Sequence, residues 1–125
     1  PVQVLYALRQ AISEYFIETE KGRVNRYAES YNVLKIGLEK LGFKFLVEDN
    51  FHAKILTSII EPGDSNYNFT EMHDYLYKRG FTIYPGKGAK HNTFRIANMG
   101  EIYKEDINNF LGCLEDYIAL KQIKL

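Results

Sequence analysis

A change of hydrophobic period at Gly42 constrains the fold of this chain most. Before it, Val24, Tyr27, Ala28, Tyr31, Leu34, Leu38 and Leu41 recur at helical spacing. After it, Phe43, Phe45 and Val47 alternate with Lys44 and Leu46, which is the period of a strand. Gly42 stands where a left-handed helix cap belongs. A long amphipathic helix running straight into a strand belongs to a mixed domain, and the remaining segments continue the mixture. Val4, Leu8, Ala11, Ile12, Tyr15 and Phe16 mark an earlier helix, expected to end in the charged stretch Glu18 to Lys21, before Gly22. Lys54 to Ile60 reads as a second strand, and Pro62 to Asn66 as a loop. Asn68, with Glu71 three residues on, resembles a capping box opening a short helix through Phe69, Met72, Tyr75 and Leu76. Phe81 to Tyr84 and Thr93 to Ala97 read as the third and fourth strands. Ile107, Phe110, Leu111, Leu114, Tyr117 and Ile118 define a last helix, with Glu105 and Asp106 near its positive end.

The order ααββαββα predicts an α+β fold. It has a mostly antiparallel four-stranded sheet with helices on one face. The 125 residues suit one domain, 1–125, with a core large enough to need no staples. Lysine plus arginine and aspartate plus glutamate each number 16, so the basic surplus of a nucleic-acid binder is missing. No run of about 18 apolar residues offers a membrane span. The single cysteine, Cys113, suits a reducing compartment such as the cytoplasm and reads as a small apolar side chain on its helix.

Chemistry-bearing residues are few. His52, His73 and His91 lie in separate elements without ligand spacing, so no metal site is expected. Gly86-Lys87-Gly88 is followed by a strand and lacks the longer phosphate-loop pattern. Glu14, Glu18 and Glu20 read as a solvated helix face and end. Tyr27, Tyr31, Tyr75 and Tyr117 fall on apolar stripes and read as core or rim packing with the hydroxyl at the surface. The exception is YPGKGAKHNTFRIANMGE, residues 84–101, which gathers Lys87, Lys90, His91 and Arg95 on a turn and the strand after it. Alternation puts Phe94 and Ile96 on one sheet face and Arg95 on the other, the side of Thr82 and Tyr84. A guanidinium fork on a face the helices leave open is a candidate site for a carboxylate or phosphonate.

The motifs GFTIYPGK and TFRIANMGEIYKEDI closely resemble the C-terminal segment of 2-aminoethylphosphonate–pyruvate transaminases, class V aminotransferases of fold type I that use pyridoxal phosphate. VLYALRQAI, NRYAESYNVLKIGLEKLGF and EPGDSNYNF extend the resemblance over nearly the whole chain. Ala97 and Met99 replace the family's usual glycine and frequent isoleucine. The resemblance implies a small C-terminal domain that meets a large cofactor-binding domain of the same enzyme. It implies that Arg95 binds the acidic group of the substrate, with Lys87 adding positive potential. Its substrates would be a small amine, 2-aminoethylphosphonate or a relative, and the oxo-acid pyruvate.

The family's Schiff-base lysine lies in a serine-x-x-lysine context that occurs nowhere in this sequence. No catalytic residue is therefore expected here, no bound pyridoxal phosphate, and no transamination by this chain alone. The rival reading is a free-standing α+β module, binding a small molecule or regulating, through the basic loop 84–95. Finding a cofactor-binding large domain in the upstream coding sequence would separate the two. Uncovered surfaces on the first helix, through Val4, Leu5, Leu8 and Tyr15, predict self-association, with a homodimer as the natural closed form.

Overall fold

A computed structural model describes residues 1–86 and 91–125. The elements are α1 (Val2–Glu18), α2 (Glu20–Leu41), β1 (Lys44–Phe45), β2 (Leu56–Ile60), α3 (Phe69–Tyr77), β3 (Tyr84–Gly86), β4 (Thr93–Ala97) and α4 (Lys104–Lys121), with a short 3-10 turn over Asp49–Phe51. This is the α+β order ααββαββα. The strands form one antiparallel sheet in the order β1-β2-β4-β3. β4 is thus central, paired with β2 on one side and β3 on the other.

One apolar core lies between the sheet and the helices. It takes Leu34 and Leu38 from α2, Ile59 from β2, Met72 and Leu76 from α3, Phe94 and Ile96 from β4, and Ile107, Phe110, Leu114 and Tyr117 from α4. Phe43 and Phe69 bring their rings to 5.7 and 6.5 Å from that of Phe94. Helices α2 and α4 approach so closely at Gly37 that an added Cβ would sit 2.3 Å from Leu111 Cδ1. Gly42 caps α2 with φ 99°, and its N–H reaches the Glu39 and Leu38 carbonyls. Asn68 Oδ1 accepts the Glu71 N–H at 3.1 Å and opens α3. At α4 the reciprocal arrangement appears, with Asp106 Oδ2 accepting the Tyr103 N–H at 2.9 Å.

Several boundaries depart from the sequence reading. Helix α1 stops at Glu18 and α2 starts at Glu20, so Gly22 lies inside the second helix. The break is Thr19, at φ 69° and ψ 157°. Its N–H donates to the Tyr15 carbonyl at 2.8 Å, its carbonyl accepts from Arg23 N at 3.1 Å, and its hydroxyl accepts from Gly22 N at 3.2 Å. One residue therefore ends one helix and starts the next. β2 begins only at Leu56, because Lys54 turns to φ 62° and gives its N–H to His52 Nδ1 at 2.8 Å. β1 is just two residues long, and the 3-10 turn takes over the acidic stretch. The third strand lies at Tyr84–Gly86 instead of Phe81–Tyr84. The Phe81 N–H is taken by the Leu76 carbonyl at 3.1 Å, a helix-capping bond beside Gly80 at φ 88°. Pro85 fits this edge strand because an outward-facing position needs no ladder N–H.

Helix α1 stands apart. It buries no residue and gives none to the core. Among the described residues, no helix is long and apolar enough to cross a membrane.

Candidate functional site

Alternation along β4 works out as its sequence demands. Thr93, Phe94 and Ile96 are buried, while Arg95 and Ala97 are exposed. Arg95 therefore stands on the sheet face turned away from α2, α3 and α4. The ladder register sets Ser58 of β2 and Tyr84 of β3 directly opposite it. A row of hydroxyl, guanidinium and phenol crosses the open face from Ser58 through Arg95 to Tyr84. The guanidinium donates one hydrogen bond, to the Pro85 carbonyl at 3.3 Å. Among the described residues no carboxylate lies within ion-pairing distance of it. The row has what an acidic group needs: a fork for bidentate binding and two flanking hydroxyls.

Lys87, the other substrate-binding candidate, lies outside the described residues, as does Lys90. His91 is exposed just before β4. Tyr84 was legible as sharing the Arg95 face, but Ser58 was not. Only the β2–β4 register brings it there, and a single sequence carries no direct signal of register between strands so far apart.

The remaining marked residues resolve into packing and local bonds. Tyr31 is buried and donates to Asp49 Oδ1 at 3.0 Å, and burial followed by that carboxylate pushes its pKa up to about 12. Tyr117 is buried and donates to the Asn68 carbonyl at 3.3 Å. His52 packs at a tilt against Tyr31 with ring centroids 4.9 Å apart, and burial lowers its pKa. His73 Nδ1 sits 3.0 Å from Asp74 Oδ1. Cys113 is half-buried against the core.

Glu18 is the clear surprise, for it is gripped by two arginines rather than solvated. Arg26 Nε reaches it at 2.6 Å and Arg23 Nε at 2.7 Å. These two guanidinium contacts, Arg26 first, hold its carboxyl down to about 2. A cavity of about 470 Å³ adjoins the pair, between the end of α1 and the turn after β4.

No protein-family model matches the chain. Curated relatives do. The chain is 39% identical over 118 residues to a 2-aminoethylphosphonate–pyruvate transaminase of Vibrio vulnificus strain YJ016, covering 92% of this chain and 32% of the relative. It is 40% identical over 123 residues to the transaminase of the same name from Bacillus cereus strain AH820, covering 96% and 33%. The chain thus spans about a third of the length of the curated relatives it matches. Among solved structures, it superimposes on ureidoglycine–glyoxylate aminotransferase from Bacillus subtilis with a TM-score of 0.84 at 24% identity, covering 96% of this chain and 32% of that one. An alanine–glyoxylate aminotransferase from Nostoc sp. gives 0.83 at 22%, covering 94% and 32%. At those identities the structures establish the fold, and the sequence relatives establish the homology.

Proposed function

We propose that this chain, homologous over nearly all its length to one third of the 2-aminoethylphosphonate–pyruvate transaminases, is the small C-terminal domain of such an enzyme. Its part in the reaction is to bind and orient the acidic group of the substrate. The observation that carries this reading is Arg95, set in the central strand on the uncovered sheet face between Ser58 and Tyr84. A phosphonate offers more acceptor oxygens than one fork fills, and the two hydroxyls are placed to take the remainder. Pyruvate presents a carboxylate that the same fork accommodates in the other half of the exchange. Lys87, three residues after Tyr84 in the sequence, adds positive potential.

In this reading the pyridoxal-phosphate site is not furnished by this chain. A Schiff-base lysine must be desolvated or otherwise activated, and the buried polar side chains here are Ser30, Thr57, Thr93 and Asn98. In this reading the cofactor and its lysine belong to a large domain outside the chain, and the chain alone does not transaminate. The open sheet face and the outward apolar residues of α1 are the surfaces that domain, or a second subunit of a homodimer, would cover.

The test is amino transfer from 2-aminoethylphosphonate to pyruvate by the full-length polypeptide containing this chain. Arg95→Ala is expected to lower kcat/KM by the equivalent of about 2–5 kcal/mol, the usual cost of removing one partner from a buried charged contact. Arg95→Lys restores part of the loss, since it keeps the charge and loses the fork. A near-normal alanine variant would overturn the assignment. For the chain alone, incubation with pyridoxal phosphate and borohydride reduction should give no stoichiometric, site-specific lysine adduct.

A further inference from the structure

The turn that follows β4 is tied to α2 far more heavily than a surface turn requires. Asn98, fully buried, donates from Nδ2 to the Tyr27 carbonyl at 3.2 Å and to the Lys54 carbonyl at 3.3 Å. The Gly100 N–H donates to the Tyr27 hydroxyl at 3.3 Å. Ser30 Oγ donates to the Ile102 carbonyl at 3.3 Å. Arg26 completes the set. One arm of its guanidinium donates to the Gly100 carbonyl while Nε holds Glu18. Its Cζ lies 4.9 Å from the centroid of the Tyr27 ring and 5.4 Å from that of Tyr103. Only 13% of the side chain remains exposed.

Arg26 therefore joins two places that no backbone ladder joins. Glu18 is the last residue of α1, and Gly100 lies just beyond the strand that carries Arg95. The joint beside Glu18 is strained. Thr19 occupies a region of backbone space that glycine normally holds alone. Such a conformation persists only where the surroundings over-determine it, and the two arginines on Glu18 do so here. Ala11, Glu14, Ile17 and Glu18 of α1 line the cavity against the domain, while Val4, Leu5, Leu8 and Phe16 are exposed. The helix is held at a set angle without being packed into the core.

We propose that Arg26 is a positioning residue for Arg95: it fixes the angle between the helix that presents the outward apolar face and the strand that carries the anion-gripping guanidinium. Wherever α1 docks, that angle decides where the guanidinium stands. The role in substrate binding rests on the reading of Arg95 given above, whereas the mechanical link between α1 and β4 does not.

Two arms test it. In the first, spin labels are placed on Gln10→Cys in α1 and Lys44→Cys in β1, with Cys113→Ser removing the native thiol. Excess unlabelled chain ensures that only distances within one copy are read. A single narrow distance is expected, several-fold broader in Arg26→Ala, with the melting temperature nearly unchanged because the core is untouched. Arg26→Lys should give an intermediate width, as it keeps Glu18 and loses the second arm to Gly100. An unchanged width in Arg26→Ala overturns the proposal. Should that variant fail to fold, Glu18→Gln must broaden the distance, and an unchanged width there overturns it equally.

In the second arm, Arg26→Ala in the full-length enzyme raises KM for the acidic amine about tenfold or more, as misplacement of a binding group does, with kcat changed less. It adds nothing on top of Arg95→Ala, because it acts through that residue. An additive loss in the double variant overturns the positioning role. An enzyme that shows no transamination at all removes the functional reading, and the label distances still decide the link.

Discussion

Helices α1 and α4 have nearly the same length, 17 and 18 residues, and both read as amphipathic, yet they end up in opposite situations. In α4 the apolar stripe is the buried stripe: Ile107, Phe110, Leu114 and Tyr117 close the core over the sheet. In α1 nothing is buried, and Leu5, Phe16 and Ile17 are 65, 74 and 82% exposed. Periodicity identifies which side of a helix is apolar. It carries no instruction about which side faces the helix's own domain. Here α1 is held to its own domain through Glu18, which pairs with Arg26 and Arg23, and Val4, Leu5, Leu8 and Phe16 are left exposed.

The largest test of this contrast is a pair of truncations. Leu114→Ala in α4 should cost about 2–5 kcal/mol, the usual range for a buried leucine. Leu8→Ala in α1 should stay within about 0.5 kcal/mol, as surface changes do. Urea titration of both variants gives the numbers, and comparable losses would mean that α1 belongs to the core after all.

Next comes association. Sedimentation across a concentration series should show the chain self-associating, with a twofold dimer as the simplest closed form. Leu5→Glu with Leu8→Glu should return it to monomer without loss of helicity. A strictly monomeric parent at high concentration would mean that the outward face of α1 does not seek a partner of its own kind.

A smaller effect is expected within α4 itself. A Cβ added at Gly112 would meet nothing within 4 Å, so alanine there should stabilise the chain by about 0.5–1 kcal/mol through helix propensity alone. No change in the denaturation midpoint would indicate that this part of α4 is frayed rather than docked.

The finest test leaves the fold intact and reads the charge that orients α1. The Glu18 carboxyl should titrate near 2 by carbon NMR, held down first by Arg26 and then by Arg23. Its folded pKa is below the unfolded 4.5, so its contribution is complete above about pH 4.5 and is lost as the pH falls toward 2. Arg26→Gln should move the midpoint up toward 4.5. A midpoint unmoved by that change would remove Arg26 from the contact.

The sheet order could not be read from the sequence, but the placement of Arg95 in the candidate site could. The Thr93–Ala97 alternation fixed the side on which Arg95 stands, and Gly42 and Asn68 placed two helix ends through local chemistry. Three kinds of feature were hidden. The register that brings Ser58 to Arg95 depends on contacts between distant strands. The shift of the third strand to Tyr84 depends on a helix cap claiming the Phe81 N–H. The joint at Thr19 defies residue preference, because a glycine three positions on was the more natural place for it. Only the register is set by atoms that no local window contains; the other two are set by bonds within a few residues, which override the period of the strand and the preference for glycine.

The central place of β4 has a consequence for how Arg95 gains and loses its position. A residue on an edge strand can come loose while the rest of a sheet persists. Arg95 cannot, because its strand is the one that holds β2 and β3 together. The backbone amides of Thr93 to Ala97 should thus be among the slowest in the chain to exchange with solvent, opening only when the whole domain does. The sheet is also incomplete until the fourth strand, made late in synthesis, inserts between two earlier ones. A folding intermediate in which β2 and β3 already share one sheet while Arg95 still lies outside it is therefore not available to this chain.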